Sequence, residues 1–281
     1  MSGAIRSSMT ALPRRRRSRK SFNRIPRATA NHQTAMAFEL LSYRDAAGLS
    51  EAVAVMWLSR LNARKNPGGV HTVALSGGRI ARTFFEEMAW RVENLPDPSA
   101  RDRLLSNVHL FWADERCVPP TDPESNYGIA RELLFEPLKV PEGQIHRLRG
   151  EENEALALRD ALENIQKWAR SDKGQPVLDL IFLGMGEDGH VASLFPGEPA
   201  EVMADPAIYR AVTAVKPPPR RITVGYGVLA AATEVWVLAS GAGKEQALKE
   251  SVLPEGKTPL ARVLRSRLNA ETKIFTDIAP A

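Results

Sequence analysis

The sequence predicts an α/β fold: a doubly wound, mostly parallel β-sheet with helices on both faces. Short apolar runs alternate with segments of helical period from Phe38 onward, and that alternation is the signature of crossover units. The runs are continuous rather than alternating, as strands covered on both faces require. Glycine-rich turns stand at the carboxyl ends of several runs, where open α/β sheets place their ligand sites.

Taken in order, residues 48–65 read as an amphipathic helix with Leu49, Val53, Met56, Trp57 and Leu61 on one stripe, ended by Pro67-Gly68-Gly69. A buried strand over 70–75, a helix over 83–92 and a strand over 107–113 make the first crossover unit. A long helix follows over 151–170, then strands over 178–183, 221–226 and 235–239, with helices over 244–251 and 260–267. No internal repeat or clean boundary interrupts this pattern, so residues 36–281 read as a single α/β domain.

With 281 residues, 43% hydrophobic and 25% charged, the chain has ordinary globular composition and enough apolar side chains for a substantial core. No run approaches the ~18 apolar residues of a membrane span, and no secretory apolar region stands near the start. A single cysteine, Cys117, excludes a disulfide framework. The expectation is a cytoplasmic protein without a membrane partner.

The net charge of +5 is concentrated at one end. Residues 1–35 hold nine basic residues and no acid, so the remainder carries a net −4. That tail offers nothing to bury and reads as a disordered, solvated arm. An Arg-rich transit segment and a translation start set too early, with Met36 opening the folded unit, are the alternatives. Without a pair of amphipathic helices, the tail gives at most salt-sensitive, nonspecific contact, so no specific nucleic-acid partner is expected.

The segment DLIFLGMGEDGHVASLFPG, residues 179–197, runs an apolar strand into a glycine-rich turn that ends on His190. Histidine is the residue type whose ordinary pKa suits it to take a proton near neutrality, which makes His190 the candidate catalytic base, with Asp188 beside it to orient water or a hydroxyl. Gly184, Gly186 and Gly189 have dinucleotide-fingerprint spacing, but Pro196, Pro199 and Pro206 interrupt the helix that the fingerprint needs. Leu75-Ser76-Gly77-Gly78 leads into a helix, so unpaired N–H groups and the helix dipole favour an anion there, with Arg79 strengthening the field. After the strand ending at Trp112 come Asp114, Glu115 and Arg116. Arg116 suits phosphate oxygens, and Asp114 a hydroxyl or water. The stiff segment 216–223, KPPPRRIT, presents Lys216 and Arg220 as further anion ligands, and Lys244 stands at a helix start. Ala239 to Lys244 imitates a P-loop, but Leu238 replaces its first glycine and Glu245 its magnesium ligand. Neither Ser76 nor Ser193 lies in a G-x-S-x-G elbow, and no Cys or His spacing matches a zinc site.

In order, these segments resemble the 6-phosphogluconolactonase family, related to the glucosamine-6-phosphate isomerases/deaminases. The resemblance rests on GMGEDGHVASLFPG at 184–197, WADERCVP at 112–119, SNY at 125–127, KPPPRRIT at 216–223 and GAGK at 241–244. It implies a Rossmann-type sandwich and hydrolysis of 6-phospho-D-glucono-1,5-lactone to 6-phosphogluconate in the oxidative pentose phosphate pathway. It also implies a small-molecule phosphosugar lactone as substrate and neither metal nor organic cofactor. Monomer and homodimer both stay open. Ser76, Gly77, Gly78, Arg79, Arg116, Lys244, Lys216 and Arg220 are then the phosphate ligands, and His190, Asp188 and Asp114 the catalytic group. Arg79-Ile80-Ala81 departs from the small hydroxyl residues and proline usual in the family, and Ala230 from its asparagine. The competing readings are a glucosamine-6-phosphate isomerase/deaminase and a non-catalytic sugar-phosphate-sensing domain. SLFPG and Arg116 favour the lactonases over the deaminases.

Overall fold

The computed structural model describes residues 29–30, 38–97 and 99–278. Most of the basic tail therefore lies outside the described residues. Only Thr29 and Ala30 are placed, as a two-residue strand against Ser42 and Leu41.

In chain order the strands are β1 (Thr29–Ala30), β2 (Glu39–Ser42), β3 (His71–Leu75), β4 (Val108–Trp112), β5 (Asp114–Arg116), β6 (Arg170–Asp172) and β7 (Gln175–Val177). They continue as β8 (Leu180–Gly184), β9 (Tyr209–Thr213), β10 (Arg220–Val224), β11 (Glu234–Ala239) and β12 (Glu271–Thr276). The helices are α1 (Ala46–Asn62), α2 (Arg79–Glu93), α3 (Ser99–Leu105), α4 (Asn126–Ala130), α5 (Glu136–Leu138), α6 (Glu154–Trp168), α7 (Ala200–Met203), α8 (Tyr226–Ala231), α9 (Glu245–Ser251) and α10 (Pro259–Ser266). None of the described helices is long and apolar enough to cross a membrane.

The main sheet runs β1-β2-β12-β11-β8-β3-β4, and every pair in it is parallel except β1 with β2. Connections β2–α1–β3 and β3–α2–β4 step toward one edge, whereas β8–α8–β11 and β11–α9–α10–β12 step toward the other. Right-handed crossovers in opposite directions put their helices on opposite faces. The packing agrees: α1 lies on α2, and α10 on α8 and α9. The α1/α2 face is filled by aromatic rings, with Trp57 edge-on to Phe182 at 5.1 Å and Phe84 at 4.9 Å from the same ring. The continuous apolar runs of β3, β4, β8 and β11 thus form the buried layer that the sequence predicts.

The winding direction reverses between the neighbours β3 and β8. Their ladder is short, pairing only Val73 with Leu180 and Ala74 with Ile181. The β3/β8 ladder stops there, while β3 stays paired with β4 through Leu75, whose carbonyl accepts from Ala113 N at 2.7 Å. A crevice at such a reversal is the standard ligand position of open α/β sheets.

Several features were absent from the sequence expectation. Strands β1, β2 and β12 of the main sheet were not anticipated, and residues 220–224 do not join it. They form the centre of a separate antiparallel sheet, β5-β10-β9, that stands beside the crevice. The Pro217-Pro218-Pro219 run that precedes β10 lacks the N–H donors a central parallel strand needs.

Candidate active site

A cleft of about 440 Å3 opens at the reversal, lined by the β3–α2 turn, the start of the β8 loop, β5, β10 and Lys244. Its floor is backbone. Gly78 caps α2 with φ 100°, a left-handed value that a side chain would strain, and its turn delivers the first N–H groups of α2 to the cleft. Ser76, Gly77, Gly78 and Arg79 all line it.

Alternation along β5 and β10 explains the cations. Residues directly opposite in an antiparallel pair share a face, and Arg221 pairs with Arg116 while Thr223 pairs with Asp114. Arg116, Arg221 and Asp114 therefore look into the cleft, whereas Glu115 looks away toward α4. There the Glu115 carboxylate accepts from the N–H groups of Arg116, Asn126 and Tyr127 at 2.7–2.8 Å and from Ser125 Oγ at 3.2 Å. Burial nevertheless pushes it up to about 7, against the pull of those donors.

Four cations meet at the cleft: Arg79, Arg116, Arg221 and Lys244. Arg221 is 6% exposed and, among the described residues, its hydrogen bonds go to carbonyls, Pro218 O at 3.0 Å and Lys216 O at 3.2 Å. Its pKa is lowered first by burial and then by the charge of Arg116. Lys244 is lowered likewise, by burial and then by Arg79. Arg116 leans on Glu124, yet its buried Nε has no hydrogen-bond partner among the described residues. Buried positive charges that repel one another and lack a full set of partners are stabilised by an anionic ligand.

The imidazole of His190 comes from the β8 loop. Gly186 N donates to His190 O at 2.9 Å, closing a tight turn, and a Cβ on Gly186 would collide with the imidazole. Only glycine lets the ring fold back over the turn. His190 Nδ1 meets Asp188 Oδ1 at 2.5 Å, and the same oxygen accepts from His190 N at 3.2 Å. That bond puts the ring proton on Nδ1 and leaves Nε2 with its lone pair. Burial raises the Asp188 carboxyl, but the charge of His190 and these hydrogen bonds outweigh it and hold the group below its ordinary value.

Asp114 is buried, and its two oxygens accept from Ser76 Oγ at 2.9 Å and Ser193 Oγ at 2.8 Å. It ties the β3 turn to the β8 loop.

Of the residues named from sequence, Ser76, Gly77, Gly78, Arg79, Asp114, Arg116, His190 and Lys244 share the cleft. Asp188 reaches it through His190 and itself lines a second cavity, as does Lys216. Arg220 stands outside, 63% exposed and 4.0 Å from Glu154. Its neighbour Arg221 takes the inward position. The signal that distinguishes them is the period of two along β10, anchored by the apolar Ile222 and Val224 on one face and Thr223 opposite Asp114 on the other.

Comparison with known proteins accords with this geometry. A family model described as glucosamine-6-phosphate isomerases/6-phosphogluconolactonase matches residues 44–273. The chain belongs to that family. A 6-phosphogluconolactonase of Treponema pallidum is 30% identical over 212 residues, 75% of this chain and 85% of that protein. The crystal structure of a protein called devB superposes with a TM-score of 0.74 at 29% identity, covering 85% of this chain and 96% of that one. The 6-phosphogluconolactonase of Trypanosoma brucei shares the fold, with a TM-score of 0.72 at 24% identity over 86% of this chain and 97% of its own.

Proposed function

We propose that this chain hydrolyses 6-phospho-D-glucono-1,5-lactone to 6-phospho-D-gluconate, as the names of its family relatives suggest. The observation that carries the reading is the pairing of one oriented imidazole with a cluster of under-partnered cations in a single cleft. The phosphate sits against the N-terminus of α2 with Arg116, Arg221, Lys244 and Arg79 around it, and so presents the lactone carbonyl to the base. Nε2 of His190 takes a proton from water as its oxygen bonds to C1. The tetrahedral oxyanion collapses, the bond from C1 to the ring oxygen breaks, and the imidazolium returns the proton to that oxygen. Product leaves as a carboxylate, with one proton released to solvent. Asp188 balances the transient imidazolium charge, and Asp114 holds Ser76 and Ser193 in place rather than touching substrate. Lys216 and Arg220 act, at most, at the rim. A cytosolic setting fits the single free thiol, Cys117.

The test is proton release from freshly made lactone, with glucosamine 6-phosphate run in parallel. Lactone turnover above the spontaneous rate supports the reading. Turnover of the aminosugar instead assigns the isomerase/deaminase reaction, and binding of both without turnover assigns a sensor.

A further inference from the structure

Two cavities meet at one side chain. The second cavity, of about 1320 Å3 and open to solvent, is lined by Asp188, Phe195, Pro196, Gly197, β9 and Lys216. Phe195 forms the wall between it and the phosphate cleft, because the ring lines one cavity while touching two residues that line the other. Its centroid lies 5.0 Å from that of His190, with the planes at 44°. The guanidinium carbon of Arg221 stands 5.6 Å from the same centroid.

Each of those partners is held incompletely by its other contacts. His190 is fixed by a hydrogen bond at Nδ1 to Asp188, but that carboxylate is 44% exposed and stands only two residues away on the same turn. Apart from the Gly186 turn it folds over, the ring takes its packing from Phe195. Among the described residues, Arg221 bonds two carbonyls of the proline loop and no carboxylate. Phe195 itself is well anchored. It follows Leu194, which is fully buried and bridged to Val191, and it precedes Pro196. An aromatic face also attracts cations, which suits both the guanidinium and the imidazolium formed in turnover.

We propose that Phe195 is a positioning residue that clamps the base and the buried guanidinium against one ring, so that nucleophile activation and phosphate capture keep a fixed separation. The proposal rests on the lactonase reading for what kcat and KM mean, and it is tested by a binding measurement that does not depend on it.

Phe195→Leu keeps apolar bulk at the wall and removes the flat face, whereas Phe195→Tyr keeps the face. For Phe195→Leu we expect kcat about tenfold lower as His190 loses its fixed orientation, and KM about threefold higher as Arg221 loosens. Affinity for inorganic phosphate, measured by calorimetry, falls by about the same factor of three. Phe195→Tyr restores all three values to within twofold of the native protein, and the melting temperatures confirm that each variant folds. A leucine variant with native kcat and native phosphate affinity, altered only in melting temperature, overturns the clamp. If the native protein turns over no lactone yet Phe195→Leu still weakens phosphate binding, the reaction is misassigned and the clamp on Arg221 stands.

Discussion

Asp188→Asn isolates the charge behind the base while leaving its shape. The amide oxygen still accepts from His190 Nδ1, so the ring keeps its tautomer and direction; what disappears is the negative charge facing the imidazolium of the transition state. Charge-assisted hydrogen bonds contribute about 1.5–3 kcal/mol. Because the Asp188 side chain is 44% exposed, water screens part of that, and the lower half of the range applies, about 1.5–2 kcal/mol. At 1.36 kcal/mol per decade, kcat falls roughly 10- to 30-fold. KM stays within about twofold, since Asp188 lies outside the cation cluster and uniform binding is untouched. The carboxyl is held below its ordinary value in the fold, so its contribution to stability persists above the unfolded pKa near 4 and fades only as pH falls through the folded one. Melting temperature at neutral pH therefore falls modestly on this substitution, and the difference from the native protein closes as pH drops below the folded value. Initial rates of proton release, corrected for spontaneous lactone hydrolysis, give both constants. A kcat within threefold of native, or a loss seen only in KM, refutes the role assigned to this pair.

The cation cluster makes an equally sharp distinction between neighbours: Arg221→Met raises KM by roughly ten- to a hundredfold, whereas Arg220→Met changes it by less than about twofold. The reverse order would return phosphate capture to the exposed residue. Away from the cleft, His109 Nδ1 and His146 Nε2 lie 2.9 Å apart beneath Trp168, and burial followed by the His109 charge pushes His146 down to about 4. A lowered imidazole favours the neutral folded form, so its stabilisation is complete above pH 6.5 and is lost as pH falls toward 4. Urea melts at pH 7 and pH 4.5 should then differ by on the order of 2 kcal/mol more for the native protein than for His146→Gln. Equal differences would show that the ring titrates freely. Arg267 is 1% exposed and donates to Leu229 O at 2.6 Å, Ala232 O at 2.7 Å and Glu271 O at 3.0 Å, tying the end of α8 to β12. Arg267→Met strands those carbonyls and costs about 3 kcal/mol or more in a denaturant melt; a loss below about 1 kcal/mol would show that they find other partners.

The parallel core was legible because its strands are apolar on both faces. Residues 73–75, 110–112, 180–183 and 235–239 carry that pattern. Strand β12 was not legible, since Glu271 and Lys273 on its exposed side, ion-paired to each other and to Arg60 and Glu39, interrupt the run. The small antiparallel sheet escaped for a different reason. Its strand β5 has three residues, Asp114, Glu115 and Arg116, too few to show a period, and its pairing with β10 joins segments about a hundred positions apart. The site followed the same division. Turns that announce themselves by glycine, at 77–78 and 184–190, line the cleft; the arginine of β10 that lines it is Arg221 rather than Arg220, a choice that depends on strand register and not on composition.

That division has a physical origin in how the two sheets meet. The parallel sheet supplies what backbone can supply at a winding reversal: the helix N-terminus after β3 and the histidine turn after β8, held apart because their ladder stops at Ala74 and Ile181. Its connections also bring Arg79 and Lys244 to the cleft, and the antiparallel sheet adds two further cations. By leaving β4 through Ala113 and turning directly into β5, the chain sets a second pair of strands edge-on to the opening, and alternation then aims Arg116 and Arg221 inward while Glu115 pins α4 behind them. Asp114 joins the two systems by accepting from Ser76 on one and Ser193 on the other. On the proposed reading, a substrate bridging His190 and the cation cluster is measured against the angle between two sheets. Asp114→Asn, which turns one of those acceptors into a donor facing a serine hydroxyl, should disturb kcat and KM together where Asp188→Asn disturbs kcat alone.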